Sequence, residues 1–168
     1  MIRVVDGNLI HADEEIIAHQ VNCQGKMGSG VAAQVRTYYP EAFKEYVDLV
    51  RYVDSYNALS GSGNRNNMTL LGRCQIVSFD RDGYRKSIAN LFAQDRYGYD
   101  GKLYTNYTAF EKCIANLRTA CENRGIKRIA MPYKIGCGRG GGNWDIIQNI
   151  IREGLRHFDV TLYCYQEK

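Results

Sequence analysis

The sequence predicts an α/β fold, a mixed β-sheet between layers of helices, and three observations carry that prediction. Strand-like and helix-like patterns alternate along the second half of the chain, which implies parallel pairing through right-handed crossovers. Two glycine-rich turns, around 25–30 and 136–142, each lead from an apolar β-type run into an amphipathic helical run. The stretch Ile16 to Asn22 is almost continuously apolar, as a central strand covered on both faces requires. A sheet of this kind holds its ligand beyond the carboxyl ends of the strands.

Taken in order, Ile2 to Val5 reads as a short strand stopped by the turn residues Asp6-Gly7-Asn8. A polar connection, Leu9 to Glu15, leads to the second strand, Ile16 to Asn22. After the first glycine turn, Val31, Ala32, Val35 and Tyr38 or Tyr39 share one helical face, and Pro40 ends or kinks that run. A second helix starts at Glu41, with Phe43, Tyr46, Val47, Val50 and Val53 at helical spacing. Ser60 to Asn67 is a loop by composition, and the segment after it is too short to stand as a separate domain. Cys74 to Phe79 alternates as a strand, Arg81-Asp82-Gly83 is hairpin chemistry, and Lys86 to Ala93 answers as the partner strand. A tyrosine- and glycine-rich loop, Gln94 to Lys102, follows. Asn106 to Arg124 is a helix with a stripe of Phe110, Cys113 or Ile114, Leu117, and Ala120 or Cys121, closed by Gly125. Strand Ile126 to Met131, the second glycine turn, a helix from Trp144 to Arg156 capped by Asn143, and strand Val160 to Tyr165 complete the chain.

At 168 residues, with 45% hydrophobic and 24% charged residues, the sequence specifies one soluble domain spanning 1–168. The net charge of +4 suits an anionic ligand, but Lys and Arg are spread out and do not form the dense runs of a dedicated nucleic-acid binder. Six cysteines (23, 74, 113, 121, 137 and 164) show no CxxC or CxxH spacing. They read as reduced thiols of a cytoplasmic protein, without a metal or a disulfide framework. No apolar run approaches the roughly 20 residues of a membrane span, and the N-terminus lacks a signal-peptide layout, so no membrane partner is expected.

The glycine turns point to chemistry. A strand that enters such a turn and leaves as a helix presents bare backbone N–H groups at a helix N-terminus, which is a site for an anion. Five glycines (136, 138, 140, 141 and 142) let a ligand lie directly on the second turn. Two junctions of this kind in one small domain suit a diphosphate clamped from both sides.

Four stretches then occur in one order with the expected elements between them: Ala18-His-Gln-Val-Asn-Cys23, Gly25-Lys-Met-Gly-Ser-Gly-Val-Ala32, Ile88-Ala-Asn-Leu-Phe-Ala-Gln94 and Met131-Pro-Tyr-Lys-Ile-Gly-Cys-Gly138. Together they resemble a macro domain, the module that binds ADP-ribose, over almost the whole chain. The resemblance is closest to the branch of ADP-ribose 1″-phosphate phosphatases and terminal ADP-ribose protein glycohydrolases. It implies a macro domain-like three-layer α/β/α fold with a mixed central sheet, ADP-ribose or a derivative as ligand, and no cofactor.

Laid onto matching positions, the resemblance places Asn22 on the hydroxyls of the distal ribose, the sugar carrying the leaving group. It gives Gly28, Ser29, Gly30 and Val31 to one phosphate as backbone donors, with the helix that starts there. Ile135, Gly136, Cys137, Gly138 and Arg139 would wrap the other phosphate and the distal ribose. The implied ligand-binding set also includes Gln20, Gly25, Met27, Gln94, Pro132 and Gly140. Where the family usually has an aspartate for the adenine amino group, this chain has Gly7-Asn8-Leu9. Asn8 accepts through its carbonyl oxygen and Leu9 donates from its backbone, without the charge-assisted part, and Asp6 is the adjacent alternative. Of Tyr163 and Tyr165, one either lines the adenine pocket or packs as an edge-strand aromatic.

Glycohydrolases of this branch work through a lysine just past the Leu-Phe strand and an aspartate in the second glycine loop. Gln94 and Gly140 stand at those positions here, and neither an imine to the opened sugar nor a carboxylate base is then available. What remains is Asn22 to orient the sugar, Asp95 as general base or water-positioning group, and Arg139 to neutralise a terminal phosphate, with Lys26 and Lys134 as further positive charge. That set suits hydrolysis of an anionic monoester, so the expectation is a phosphatase acting on ADP-ribose 1″-phosphate. A non-catalytic ADP-ribose reader and a hydrolase that frees ADP-ribose from a modified macromolecule are the alternatives. Nucleic acid enters only as such a substrate, and the protein is expected to be a monomer. His19, inside an apolar strand, reads as a satisfied core histidine. Cys137 is either acidified by the following helix or simply small beside the ligand. Tyr97, Tyr99, Tyr104 and Tyr107 either cover the distal ribose or pad a loop.

Overall fold

The computed structural model describes residues 1–61 and 68–165, so most of the polar loop expected at 60–67 lies outside the described residues. Its sheet is built from β1 (Ile2–Asp6), β2 (Ile16–Asn22), β3 (Cys74–Arg81), β4 (Tyr84–Gln94), β5 (Arg128–Pro132) and β6 (Asp159–Cys164), ordered β1-β6-β5-β2-β4-β3. Neighbours pair in parallel except β3 and β4, which form an antiparallel hairpin. The mixed sheet expected from the sequence is therefore present, and β2 lies between β5 and β4. Its central place explains the almost continuous apolar run.

Helices α1 (Gly30–Tyr38) and α2 (Pro40–Ser60) cover one face, and α3 (Tyr107–Arg124) and α4 (Trp144–Gly154) the other. The period of two along β2 divides its side chains accordingly. Ile16 and Ala18 join Phe110, Ile114, Leu117, Ile147 and Ile151, whereas Ile17 meets Val35, Tyr39 and Ala42, and Val21 meets Tyr46 and Phe92. Pro40 separates the first two helices and sits at the start of α2, where its missing N–H and fixed φ carry no penalty. Asn106 caps α3 by accepting from Ala109 N, Asn143 caps α4 by accepting from Asp145 N and Ile146 N, and Gly125 closes α3 in the left-handed region at φ 69°.

The elements differ from the sequence expectation chiefly at their ends. Leu9–His11 is a 3₁₀ turn within the expected polar connection, with Leu9 and Ile10 buried. The hairpin strands extend further than their apolar pattern, because cross-strand hydrogen bonds continue up to the turn at Asp82-Gly83. The last helix stops at Gly154, two residues early.

His19 is 1% exposed, with Nε2 2.7 Å from Asn90 Oδ1. Asn90 Nδ2 donates to Gln75 Oε1 and Ala42 O, so its oxygen accepts and the histidine donates. The expectation of a satisfied core histidine holds for that nitrogen only, since Nδ1 has no partner among the described residues. Burial pushes the imidazole down to about 4. The unfolded chain then binds a proton that the folded chain refuses, so this stability is complete above the ordinary histidine range near 6.5 and is lost as pH falls toward 4. Urea unfolding between pH 7 and pH 4 should show up to about 3 kcal/mol more loss in the wild type than in His19→Gln.

Candidate functional site

At the carboxyl end of β2 a bulge between Val21 and Asn22 shifts the register, so that Asn22 lies opposite Gln94 at the end of β4. The Asn22 side chain then builds the first turn. Its Nδ2 donates to Lys26 O at 2.8 Å, and its Oδ1 accepts from Gln24 N at 2.9 Å and lies 2.9 Å from the Tyr46 hydroxyl. The chain runs on through Gly28 to Ser29, which precedes α1 in an extended conformation and makes no side-chain cap bond. The amides of Gly28, Ser29, Gly30 and Val31 accordingly have no hydrogen-bond partner among the described residues.

The second turn leaves β5 at Pro132 and reaches α4 through Asn143. Internal bonds from Ile135 N to Pro132 O, Cys137 N to Lys134 O and Gly142 N to Gly136 O fix its course. Those of Gly138, Arg139 and Gly140 N remain without partners among the described residues. Both turns line one cavity of about 670 Å³. Of the expected residues, Gln20, Asn22, Gly25, Met27, Gly28, Ser29, Gly30, Val31, Gln94, Pro132, Ile135, Gly136, Gly138, Arg139 and Gly140 all line it. The cradles read from two separate stretches thus face the same space.

Five expected residues fall elsewhere. Asn8 places its side-chain oxygen 3.1 Å from Ile10 N, from which it accepts, and neither Asn8 nor Leu9, whose side chain packs into the core, is among the residues lining the cavity. Tyr163 donates its hydroxyl to Glu14 Oε2 at 2.9 Å and packs against the cluster that holds Leu9, Ile10 and Ile17, and it is not among the residues lining the cavity. Asp95 is turned outward, its Oδ1 accepting from Gln24 Nε2 at 3.3 Å and its Oδ2 3.9 Å from Arg96, so no base from this residue stands in the cavity. Cys137 packs toward α3 and α4, and burial raises its thiol above the ordinary range, against the acidification that a helix N-terminus would give.

The Gln94 and Gly140 positions form one polar plug. Gln20 Nε2 donates to Gln94 Oε1 at 2.7 Å and to Thr105 Oγ1 at 2.8 Å, Thr105 Oγ1 donates to Gly136 O at 2.7 Å, and Gln94 Nε2 donates to Arg96 O at 2.9 Å. A Cβ on Gly140 would collide with Thr105 Oγ1 and lie 2.5 Å from Gly136 O. The sequence reading missed Thr105, which belongs to no glycine motif, and also Arg36 and Phe43, which line the cavity from α1 and α2. The spacing of Ala32 and Arg36 one turn apart on α1 was the available signal.

Four cations, Lys26, Arg36, Lys134 and Arg139, line the cavity, and no Asp or Glu does. None of the four takes part in an ion pair among the described residues. Arg36 lies over Phe43, Lys134 over Tyr133 and Arg139 over Tyr99. Aromatic faces have replaced carboxylates as partners, leaving the positive charge uncancelled.

No protein-family model matches the chain. An uncharacterized 17.5 kDa protein of Enterobacteria phage T4 is 28% identical over 168 residues, 99% of this chain and 97% of that protein. The DNA ADP-ribosyl glycohydrolase of Mycobacterium tuberculosis is 26% identical over 166 residues, which are 98% of this chain but 42% of that relative. The ADP-ribose 1″-phosphate phosphatase of Candida glabrata is 23% identical, covering 96% of this chain and 97% of its own length. Among solved structures, the macrodomain of Mycobacterium tuberculosis DarG superposes with a TM-score of 0.77 at 23% identity over 97% of both chains. Thermosipho africanus DarTG in complex with ADP-ribose gives 0.76 at 19% identity over 99% of this chain and 42% of that one. With the six-stranded mixed sheet, the paired glycine turns and these likenesses together, the chain has the macrodomain fold.

Proposed function

We propose that the cavity binds ADP-ribose and that the protein hydrolyses ADP-ribose 1″-phosphate to ADP-ribose and phosphate. The two sets of free amides suit the diphosphate, and the relatives named for this ester and for ADP-ribosyl groups support the ligand class. The observation that carries the phosphatase reading is the lining of four unpaired cations with no carboxylate. A diphosphate brings two negative charges, and a third phosphate brings up to two more. In the hydrolysis one water is consumed. Its oxygen joins phosphorus, the bond from phosphorus to the sugar oxygen breaks, and a proton from the water ends on that oxygen. Phosphoryl transfer depends mainly on positioning and on charge stabilisation, so a cavity rich in cations and free amides serves it without a carboxylate base. In this reading Asn22 acts by fixing the first turn and facing the sugar, and Arg139 takes the terminal phosphate. We place the protein in the cytoplasm as a monomer.

Phosphate release measured with malachite green tests the proposal. Arg139→Met should lower kcat/KM about 30-fold, the worth of one charged hydrogen-bonding partner at about 2 kcal/mol, while ADP-ribose still binds. Binding of ADP-ribose without any phosphate release at enzyme excess would turn the reading to a non-catalytic reader. A second reading, release of ADP-ribose from a modified nucleic acid, is favoured by the DNA ADP-ribosyl glycohydrolases matched over nearly the whole chain. Gln94 and Gly140 weigh against it, and release of ADP-ribose from a modified oligonucleotide would support it.

A further inference from the structure

Arg139 and Tyr99 meet over the end of the cavity lined by Gln94 and Gly140, with the guanidinium carbon 4.1 Å from the ring centroid. They belong to different loops, the second glycine turn and the segment between β4 and α3. These loops are tied together next to Arg139, where Tyr104 N and Thr105 N donate to Gly140 O at 2.8 and 2.9 Å. The tyrosine loop is also braced internally. The Tyr104 hydroxyl donates to Asp100 Oδ1 at 2.9 Å, Lys102 N donates to the same oxygen at 3.2 Å, and the Tyr104 ring lies so close to Gly98 that a Cβ there would collide. Tyr99 itself is 65% exposed, so its ring is not held in place by burial in the core. Its ring contact among the described residues is the Arg139 guanidinium.

A guanidinium stacked on an aromatic face uses its plane for that contact and keeps its edge donors free. Those donors match two phosphate oxygens in a bidentate arrangement. A free arginine would have to order several torsions when the anion arrives, and a stacked one is ordered in advance. We propose that Tyr99 is a positioning residue that holds the Arg139 guanidinium over the distal end of the cavity, edge toward a phosphate on the ligand's terminal ribose. By doing so it sets the preference for a phosphomonoester over plain ADP-ribose. The proposal rests on the phosphatase reading for its substrate. Tyr104 and Tyr107 serve the loops, the latter with its hydroxyl accepting from Asn143 N at 2.9 Å.

The test uses Tyr99→Leu, Tyr99→Phe, Arg139→Met and the double variant Tyr99→Leu/Arg139→Met. Calorimetric titration with ADP-ribose should give dissociation constants within about twofold of wild type for both Tyr99 variants. Phosphate release from ADP-ribose 1″-phosphate should fall about fivefold in kcat/KM for Tyr99→Leu, as expected for loss of one cation–π contact. Tyr99→Phe should keep the wild-type value, and Tyr99→Leu should cost nothing further once Arg139 is Met. Equal losses in the two backgrounds, or ADP-ribose binding weakened as much as turnover, would overturn the proposal. If the wild type releases no phosphate, the phosphatase reading falls by itself. Titration of the same proteins with ADP-ribose and ADP-ribose 1″-phosphate then decides the role of Tyr99: a preference for the monoester that is lost in Tyr99→Leu supports it, and a preference that survives or never existed refutes it.

Discussion

Gly28→Glu should reduce affinity for ADP-ribose about 1,000-fold and leave the fold intact. Gly28 lines the cavity, and a Cβ added there meets nothing within 4 Å, so the backbone and the core have no reason to shift. The new carboxylate would occupy the space where the unpartnered amides of Gly28 to Val31 take a phosphate. At an effective dielectric of about 20, two unit charges some 4 Å apart repel by about 4 kcal/mol, which is three decades in affinity. Titration calorimetry against ADP-ribose measures the loss, and a melting temperature within about 2 °C of wild type shows that it is local. Gly28→Gln separates the contributions, because it keeps the bulk and removes the charge. Unchanged affinity in Gly28→Glu would mean that the first glycine turn does not touch the ligand, and the diphosphate clamp would be wrong.

The order of elements was legible because each carries a local signal. Asn143 and Asn106 mark helix starts, Gly125 marks a helix end, and the almost continuous apolar run of β2 marks its central place. The two cradles were legible for a related reason, since glycine between a strand and a helix has a physical consequence wherever the rest of the chain goes. Side-chain roles were less so. Asp95 sits one residue past a cavity-lining glutamine, yet the alternation of a strand end sends it outward to Gln24 and Arg96. Asn8 reads as an acceptor for adenine, but a nearer donor, Ile10 N, takes its oxygen. Arg36, Phe43 and Thr105 reach the site or its floor from elements whose positions depend on tertiary packing, which spacing along the chain does not encode.

Gly140→Asp, which would restore the aspartate found at this position in the glycohydrolases that the chain resembles, should destabilise the protein by about 3 kcal/mol and create no glycohydrolase. A Cβ at residue 140 meets Thr105 Oγ1 and the carbonyl oxygen of Gly136, and the second is backbone that cannot rotate aside. Tyr104 N and Thr105 N both donate to Gly140 O, so the strand of chain beside it is equally fixed. Overpacking of this severity costs about 1–3 kcal/mol or more, and the lost bond from Thr105 Oγ1 to Gly136 O adds about 1. For a chain of this size that corresponds to a fall in melting temperature of roughly 6–12 °C. Adding Gln94→Lys should not rescue it, because the substitution removes the amide oxygen that accepts from Gln20 Nε2 and leaves that group only its bond to Thr105 Oγ1, beside an Oε1 already without a partner. Thermal unfolding followed by circular dichroism, together with release of ADP-ribose from a modified acceptor, checks both parts. A double variant that melts with the wild type and frees ADP-ribose would show that the plug of Gln20, Gln94 and Thr105 yields readily, and that these two positions alone separate this chain from the glycohydrolases.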